Sequence, residues 1–351
     1  MFLMLWVNDF AGMSGIPHWM GHALAEEDMM GFSDLIFPSF LFCMGMSVPL
    51  AINSRKSRGA GTGSLLLHIA VRSFALILMG IFSMNIRGSW FEILMVAGFF
   101  LLWNDYRLEG SRKWLRYVLM AAGGILLCGL LIHARPLRIG WWGILGLIGW
   151  AYLATSVVYL CLQRSTIALA AAWAVIITLV LLSHGPCSAL GAIPGGWTHI
   201  GISFTGAMCT LAMLRIKDSR RLGICLLAGA AVAFACGALT HRWWHISKIL
   251  ATPSWMFHCI AVDLLLMCAL NLIADVRGWT AWARPIKAAG TATLTCYTLP
   301  YLWYPLCSLA GIRFPHALTC DVPGLLKAAV FSLLVILLAE GLSRAGIKLK
   351  L

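Results

Sequence analysis

Runs of apolar residues separated by short polar loops recur along the whole chain. About 20 such residues cross a bilayer as a helix. The pattern places spans near residues 33–52, 64–84, 88–103, 117–133, 141–161, 166–183, 199–214, 222–240, 256–274, 288–311 and 324–342, with half a span at 1–8. The expected fold class is all-α, a polytopic transmembrane helical bundle of about 11–12 spans, because only helices or closed barrels satisfy their backbone in lipid. Residues 1–351 are expected to form a single integral membrane domain. Met1 falls inside an apolar run without the charged leader that precedes a first helix. The first span is therefore expected to be truncated, with the native start upstream.

Composition agrees with this pattern. Apolar residues make up 61% of the chain and charged residues 11%, against roughly 25% charged in soluble domains. The net charge of +13 reflects topology. Alternate loops hold Arg55, Lys56, Arg58; Arg107, Arg112, Lys113, Arg116; Arg164; Arg215, Lys217, Arg220, Arg221; Arg277, Arg284, Lys287; and Arg344, Lys348, Lys350. That is 18 of the 26 basic residues, against seven in the opposite loops. By the positive-inside rule the richer side is cytoplasmic. The loop containing His22 then faces outward, in a protein expected to lie in the bacterial cell (inner) membrane. Charges scattered over short loops argue against nucleic acid as a partner. Most of the twelve cysteines fall inside spans, where thiols behave as small hydrophobes. Cys187 and Cys320, in outward loops, are candidates to pair. Neither C-x-x-C nor a Cys/His ligand spacing occurs, so no metal is expected.

The chemistry concentrates between residues 8 and 38, where a polar loop holds two histidines and five carboxylates. Ionisable groups at a membrane's edge are costly and tend to mark function. His22 follows glycines that would let a substrate approach. Its imidazole would take a proton or attack an acyl group itself, or would simply be a solvated interfacial ring. His18, beside Pro17 and Trp19, reads as an interfacial anchor. Asp34 is either the N-cap of the next helix or the carboxylate that orients His22. Asn8 and Asp9 close the first half-span. Arg72, the one basic residue inside a span, either snorkels to the interface or awaits an anion. Together with Arg55, Lys56 and Arg58 it would form a mouth for a polyphosphorylated ligand. Asp263 is the matching acidic anomaly within a span.

These motifs resemble those of the transmembrane acetyltransferases related to heparan-α-glucosaminide N-acetyltransferase. The resemblance rests on Val7-Asn8, a glycine-containing loop, His22-Ala23, the block from Asp34-Leu35-Ile36-Phe37-Pro38 to Gly45, and Ile69-Ala70-Val71-Arg72-Ser73-Phe74. It is specific over some 60 residues and weaker through 248–276 and 290–305. The family's basic leader is absent, and its Asp-Pro-Glu-Gly motif is replaced by Thr198-His199-Ile200-Gly201. The resemblance implies transfer of acetyl from cytoplasmic acetyl-CoA to an amino sugar or hydroxyl of a glycan on the far side. It assigns catalysis to His22, Asp34 and Asn8, and cofactor phosphates to Arg72, Arg55, Lys56 and Arg58. Expected partners are membrane lipid and a glycan acceptor, with a homodimer left open. The alternatives are a transporter or flippase using Arg72 and Asp263 as translocation groups, and a non-catalytic scaffold.

Overall fold

The computed structural model describes residues 1–106, 113–138 and 143–351. Arg107 and Arg112, counted above on the basic side, and the first two residues of the expected span 141–161 lie outside the described residues. The described chain is helical, with two isolated β-bridges and no strand. Its helices are α1 Phe2–Phe10, α2 Phe32–Ser57, α3 Thr62–Asn85, α4 Ser89–Trp103, α5 Lys113–His133, α6 Gly143–Leu162 and α7 Thr166–His184. They continue with α8 Trp197–Arg215, α9 Ser219–Thr240, α10 Pro253–Leu270, α11 Lys287–Thr291, α12 Thr293–Thr298, α13 Pro300–Leu309 and α14 Asp321–Arg344. Among the described residues, eight helices are long and apolar enough to cross a membrane: α2, α3, α5, α6, α7, α9, α14, and α10 with its π-helical extension to Val276. The protein is an all-α, multi-pass membrane protein.

Ten of the eleven expected spans each fall on one helix, but α4 and α8 are not among the eight. The described residues therefore hold fewer spanning helices than the 11–12 expected, and the remaining span is broken. Residues 288–311 are not one helix but α11, α12 and α13. Ala292, at φ −122° and ψ 37°, leaves the helical region between α11 and α12. Thr291, Thr293 and Thr298 turn their hydroxyls back onto carbonyls three or four residues earlier, a habit that weakens helices. Pro300 starts α13, where its missing N–H costs nothing.

The helices group into two compact units. The first comprises Met1–Ile16, Leu78–Gly143 and Ala281–Leu351; the second comprises Pro17–Ile77 and Ile144–Thr280. In the first, α1 packs on α14, and α4 on α5 and α13. Asp9 is buried there, ion-paired to Lys327 Nζ at 2.7 Å and accepting from Tyr304 Oη at 2.5 Å. In the second unit, α2 crosses α8 so closely that glycine is required on both. A Cβ at Gly45 would lie 1.8 Å from the Ser203 carbonyl oxygen, and one at Gly206 would lie 2.1 Å from that of Phe42. Small residues that bring backbones together are a standard device of membrane helices. Three buried hydroxyls of α8 are satisfied: Thr155 and Ser203 share a hydrogen bond, Thr210 donates to Met46, and Thr205 accepts from Trp173. This crossing fixes α2, and with it Asp34.

Candidate functional site

The start of α2 is built around one carboxylate. Gly31 is the N-cap and Asp34 stands three residues into the helix, so Asp34 is not itself the N-cap. Its Oδ2 accepts from the Gly31 N–H at 3.2 Å and from the Ala23 N–H at 3.0 Å. The loop folds back on itself at two glycines: a Cβ on Gly31 would lie 2.1 Å from the Gly21 carbonyl oxygen. Ser33 Oγ donates to the Met20 carbonyl at 2.5 Å, closing the same turn.

This closure brings His22 onto Asp34, with Nδ1 2.7 Å from Asp34 Oδ1. The Asp34 side chain is 2% exposed and that of His22 42%. A carboxylate accepts only, so Nδ1 carries the proton and Nε2 carries the lone pair. A partner on one ring nitrogen thus sets the chemistry of the other. A third group arrives from the far end of the sequence. Lys248 Nζ lies 3.1 Å from His22 Nδ1 and 3.5 Å from Asp34 Oδ1. Since Nδ1 is already a donor, the ammonium belongs to the carboxylate. Burial pulls Lys248 below the ordinary lysine range, against the opposing pull of Asp34.

The loop that carries Lys248 is held rigidly. Thr252 and Ser247 exchange hydrogen bonds, Ser254 Oγ donates to the His245 carbonyl, and Ala251 sits at a φ of 51°. Asp28 stitches this loop to the His22 loop, accepting from His241 Nε2 at 2.7 Å and from the Ile246 N–H at 2.8 Å. The Ile246 N–H, followed by His241, holds Asp28 below the usual carboxylate range. His245 Nε2 and Ser247 Oγ both donate to the Ala25 carbonyl.

His199 stands in the first turn of α8. Its ring packs on Phe37 at 5.7 Å, one turn along α2 from Asp34, and on Trp255 at 6.3 Å. Its Nδ1 donates to the Gly195 carbonyl at 2.8 Å, which leaves the lone pair on Nε2 here too. Thr198 Oγ1 donates to the Ala251 carbonyl at 2.7 Å, tying α8 to the Lys248 loop.

The other expected site residues fall elsewhere. His18 pairs with Glu27 at 3.2 Å on the surface and takes no part in the dyad. Asn8 is exposed on α1, in the first unit. Arg55, Lys56 and Arg58 sit at the far end of α2. Twenty-one residues of helix put Arg55 roughly 30 Å from Asp34. Arg72 is half-buried, its guanidinium 4.8 Å from the centre of the Tyr152 ring. No carboxylate pairs with Arg72 or Arg55 among the described residues. Buried hydroxyls of Ser73 and Ser156, on the same two helices, also lack partners. Asp263 is buried, accepts from Ser39, and has an unpartnered Oδ2. Cys187 and Cys320 are free thiols.

Sequence reasoning missed two residues of this cluster. Lys248 was one more loop lysine, and His199 fell within an apolar span. Neither carries a local signal, because only tertiary packing brings them to Asp34.

The fold and site define a multi-pass membrane protein with an Asp–His–Lys cluster, built on a buried carboxylate, at the start of α2. Comparison with known proteins adds a partial match. A domain of unknown function (DUF5009) matches residues 1–127, a stretch that contains His22, Asp34 and Arg72 but not His199 or Lys248. No curated protein matches the chain.

Proposed function

We propose that this protein is a membrane-embedded acyltransferase that moves acetyl from cytoplasmic acetyl-CoA to an amine or hydroxyl of a glycan on the opposite side. The observation that carries this reading is the 2.7 Å contact between His22 Nδ1 and a buried Asp34 carboxylate. It leaves a half-exposed imidazole with its Nε2 lone pair free, the arrangement used by general bases and by nucleophiles. Nε2 either takes the proton of the attacking group or itself receives the acetyl. Asp34 stabilises the positive charge that forms on the ring in both cases.

The donor side rests on Arg72 and Arg55. An unpaired guanidinium held against an aromatic ring, with two partnerless hydroxyls on the same helices, suits the phosphates of CoA. Lys56 and Arg58 extend the basic mouth. The motif resemblance at Asp34–Gly45 and Ile69–Phe74 supports the same donor. Asn8 has no part in the geometry described for the dyad, and its oxyanion role rests on the resemblance alone. We place the protein in the bacterial cell membrane with the His22 loop outside, on the strength of the basic-residue asymmetry.

Protein in nanodiscs, given radiolabelled acetyl-CoA and glucosamine, should acetylate the sugar. His22→Ala should abolish transfer while leaving the melting temperature near its original value, since the ring is 42% exposed. Full activity in that variant would remove His22 from the chemistry. A cysteine replacing Ala25 should be labelled from outside intact cells and one replacing Ser57 should not; the opposite result would reverse the orientation.

The unpartnered buried carboxylate of Asp263 favours a second reading, a transporter or flippase. That reading predicts substrate flux across proteoliposomes that Asp263→Asn abolishes, without any CoA release.

A further inference from the structure

The structure holds a second imidazole, packed on Phe37 one turn along α2 from Asp34, fixed in the same tautomeric sense and used by nothing described so far. His199 is 9% exposed, its Nδ1–H is committed to Gly195, and its Nε2 has no hydrogen-bond partner. Its neighbour Trp255 is fully buried with an indole N–H that also lacks one. A buried, unsatisfied indole donor next to an imidazole nitrogen without a hydrogen-bond partner marks a place where a polar group of a ligand belongs.

We propose that His199 is the second acid–base residue of the acetyl-transfer site, receiving the proton of the attacking amine while His22 carries the acetyl group. This rests on the acyltransferase reading. In the first step His22 Nε2 bonds to the acetyl carbon and the carbon–sulfur bond breaks. CoA leaves as thiolate, which takes a proton from water. The ring is then an acyl-imidazolium, neutralised by Asp34 through Nδ1–H. In the second step the neutral amine bonds to the acetyl carbon, and the carbon–Nε2 bond returns its electron pair to His22. The amine nitrogen now holds one proton too many.

Few nearby groups can take it. His22 Nε2 is still bonded to carbon while the new bond forms, and Nδ1 already has its proton. Asp34 is engaged by Ala23, Gly31, His22 and Lys248. Lys248 is turned to the Asp34 carboxylate, 3.5 Å away. Glu27 is held by Leu24 and His18, and Asp28 by His241 and Ile246. His245 keeps a free Nδ1, but its ring is tied through Nε2 to the Ala25 carbonyl, in the stretch that Asp28 stitches. His199 shares its charged neighbour, Lys248, with the dyad, and it packs one helical turn below Asp34. The amine nitrogen passes its proton to His199 Nε2, which releases it to water after the product leaves.

The test uses His199→Asn, whose side-chain amide can still donate to Gly195 but offers no base. Purified protein in nanodiscs is mixed with acetyl-CoA, first without an acceptor and then with glucosamine or hydroxylamine. The expected result is an unchanged burst of CoA release, CoA affinity within two-fold, and transfer to glucosamine reduced about 100-fold or more, the usual worth of a general base. Hydroxylamine, which attacks acyl-imidazoles without such help, should be acetylated at the original rate. His245→Gln, which keeps the bond to Ala25, should transfer normally. Transfer to glucosamine at the original rate in His199→Asn would overturn the proposal, and so would equal losses with both acceptors. If the Asn variant does not fold, His199→Gln supplies the same comparison. Unaltered protein that neither releases CoA nor acetylates glucosamine would instead refute the acyltransferase reading, and the proposal with it.

Discussion

Replacing Asp34 by Asn separates the two tasks that this side chain performs. The Asp34 carboxylate is 2% exposed and accepts from two backbone N–H groups and from His22, with Lys248 alongside. Hydrogen bonds to a charged acceptor contribute about 1.5–3 kcal/mol each, roughly twice those to a neutral one. In the Asn variant the single amide oxygen can serve Ala23 and Gly31, so the loop and helix start survive with a loss of about 1–3 kcal/mol. The amide nitrogen then faces His22 Nδ1, and two donors cannot share one contact. The imidazole resolves this by moving its proton to Nε2, which blocks the atom that must act. The same exchange in a serine-protease triad leaves the geometry intact and lowers turnover about 10⁴-fold. ¹⁵N-histidine NMR of the protein in nanodiscs, with His22 assigned by its absence in His22→Ala, should show the proton shift from Nδ1 to Nε2. Acetyl transfer should fall by a comparable factor. An unchanged tautomer together with full activity would mean that Asp34 only closes the loop.

Three further perturbations test the surroundings. Gly206→Ala forces a Cβ to within 2.1 Å of the Phe42 carbonyl oxygen, and overpacking of this kind costs about 1–3 kcal/mol; an unchanged detergent melting temperature would disprove the α2–α8 crossing. Lys327→Met leaves Asp9, whose side chain is 2% exposed, with Tyr304 alone, a loss of about 3–5 kcal/mol for breaking a buried pair, so a loss under 1 kcal/mol in chemical denaturation would mean that the pair is solvated. Lys248 supplies a pH test: below its depressed folded value both states hold the proton and burial opposes folding, whereas between that value and the ordinary lysine value only the unfolded chain holds it. Stability should therefore rise with pH across that alkaline window; Lys248→Met should flatten the rise, and an equal rise in both proteins would assign it to other groups.

The helices were legible because burial in lipid leaves a strong one-dimensional signal, a run of apolar residues of fixed length. The break at Ala292 was not, because threonines and a proline are common inside membrane helices and only the local dihedrals show where the backbone turns. Within the site, His22 and Asp34 stand 12 residues apart in one loop, and the intervening glycines hint at a tight return. Lys248 is 226 residues from His22, and no local pattern distinguishes it from other loop lysines. His199 was hidden for a different reason. A lone histidine in an apolar segment reads as a satisfied core residue, and its Nδ1 is indeed satisfied; only the three-dimensional contacts show that Nε2 has no hydrogen-bond partner.

The site joins folding and chemistry so closely that ordinary truncation would confuse them. A carboxylate buried at a membrane's edge is costly unless its oxygens are fully engaged, and Asp34 meets that condition by closing the loop, starting α2 and holding His22 at once. Asp34→Ala would strand two backbone donors, at about 1–3 kcal/mol each, and report a collapsed loop. His199→Ala would likewise release Gly195 and open a void between Phe37 and Trp255. Loss of activity in either would fit a catalyst and a scaffold equally well. Replacements that keep the structural bond and delete only the chemical function, Asn at 34 and 199 and Gln at 245, divide the two readings. A scaffold predicts that all three variants behave like the parent. A catalyst predicts that the first two fail in different steps, Asp34→Asn before CoA is released and His199→Asn after it.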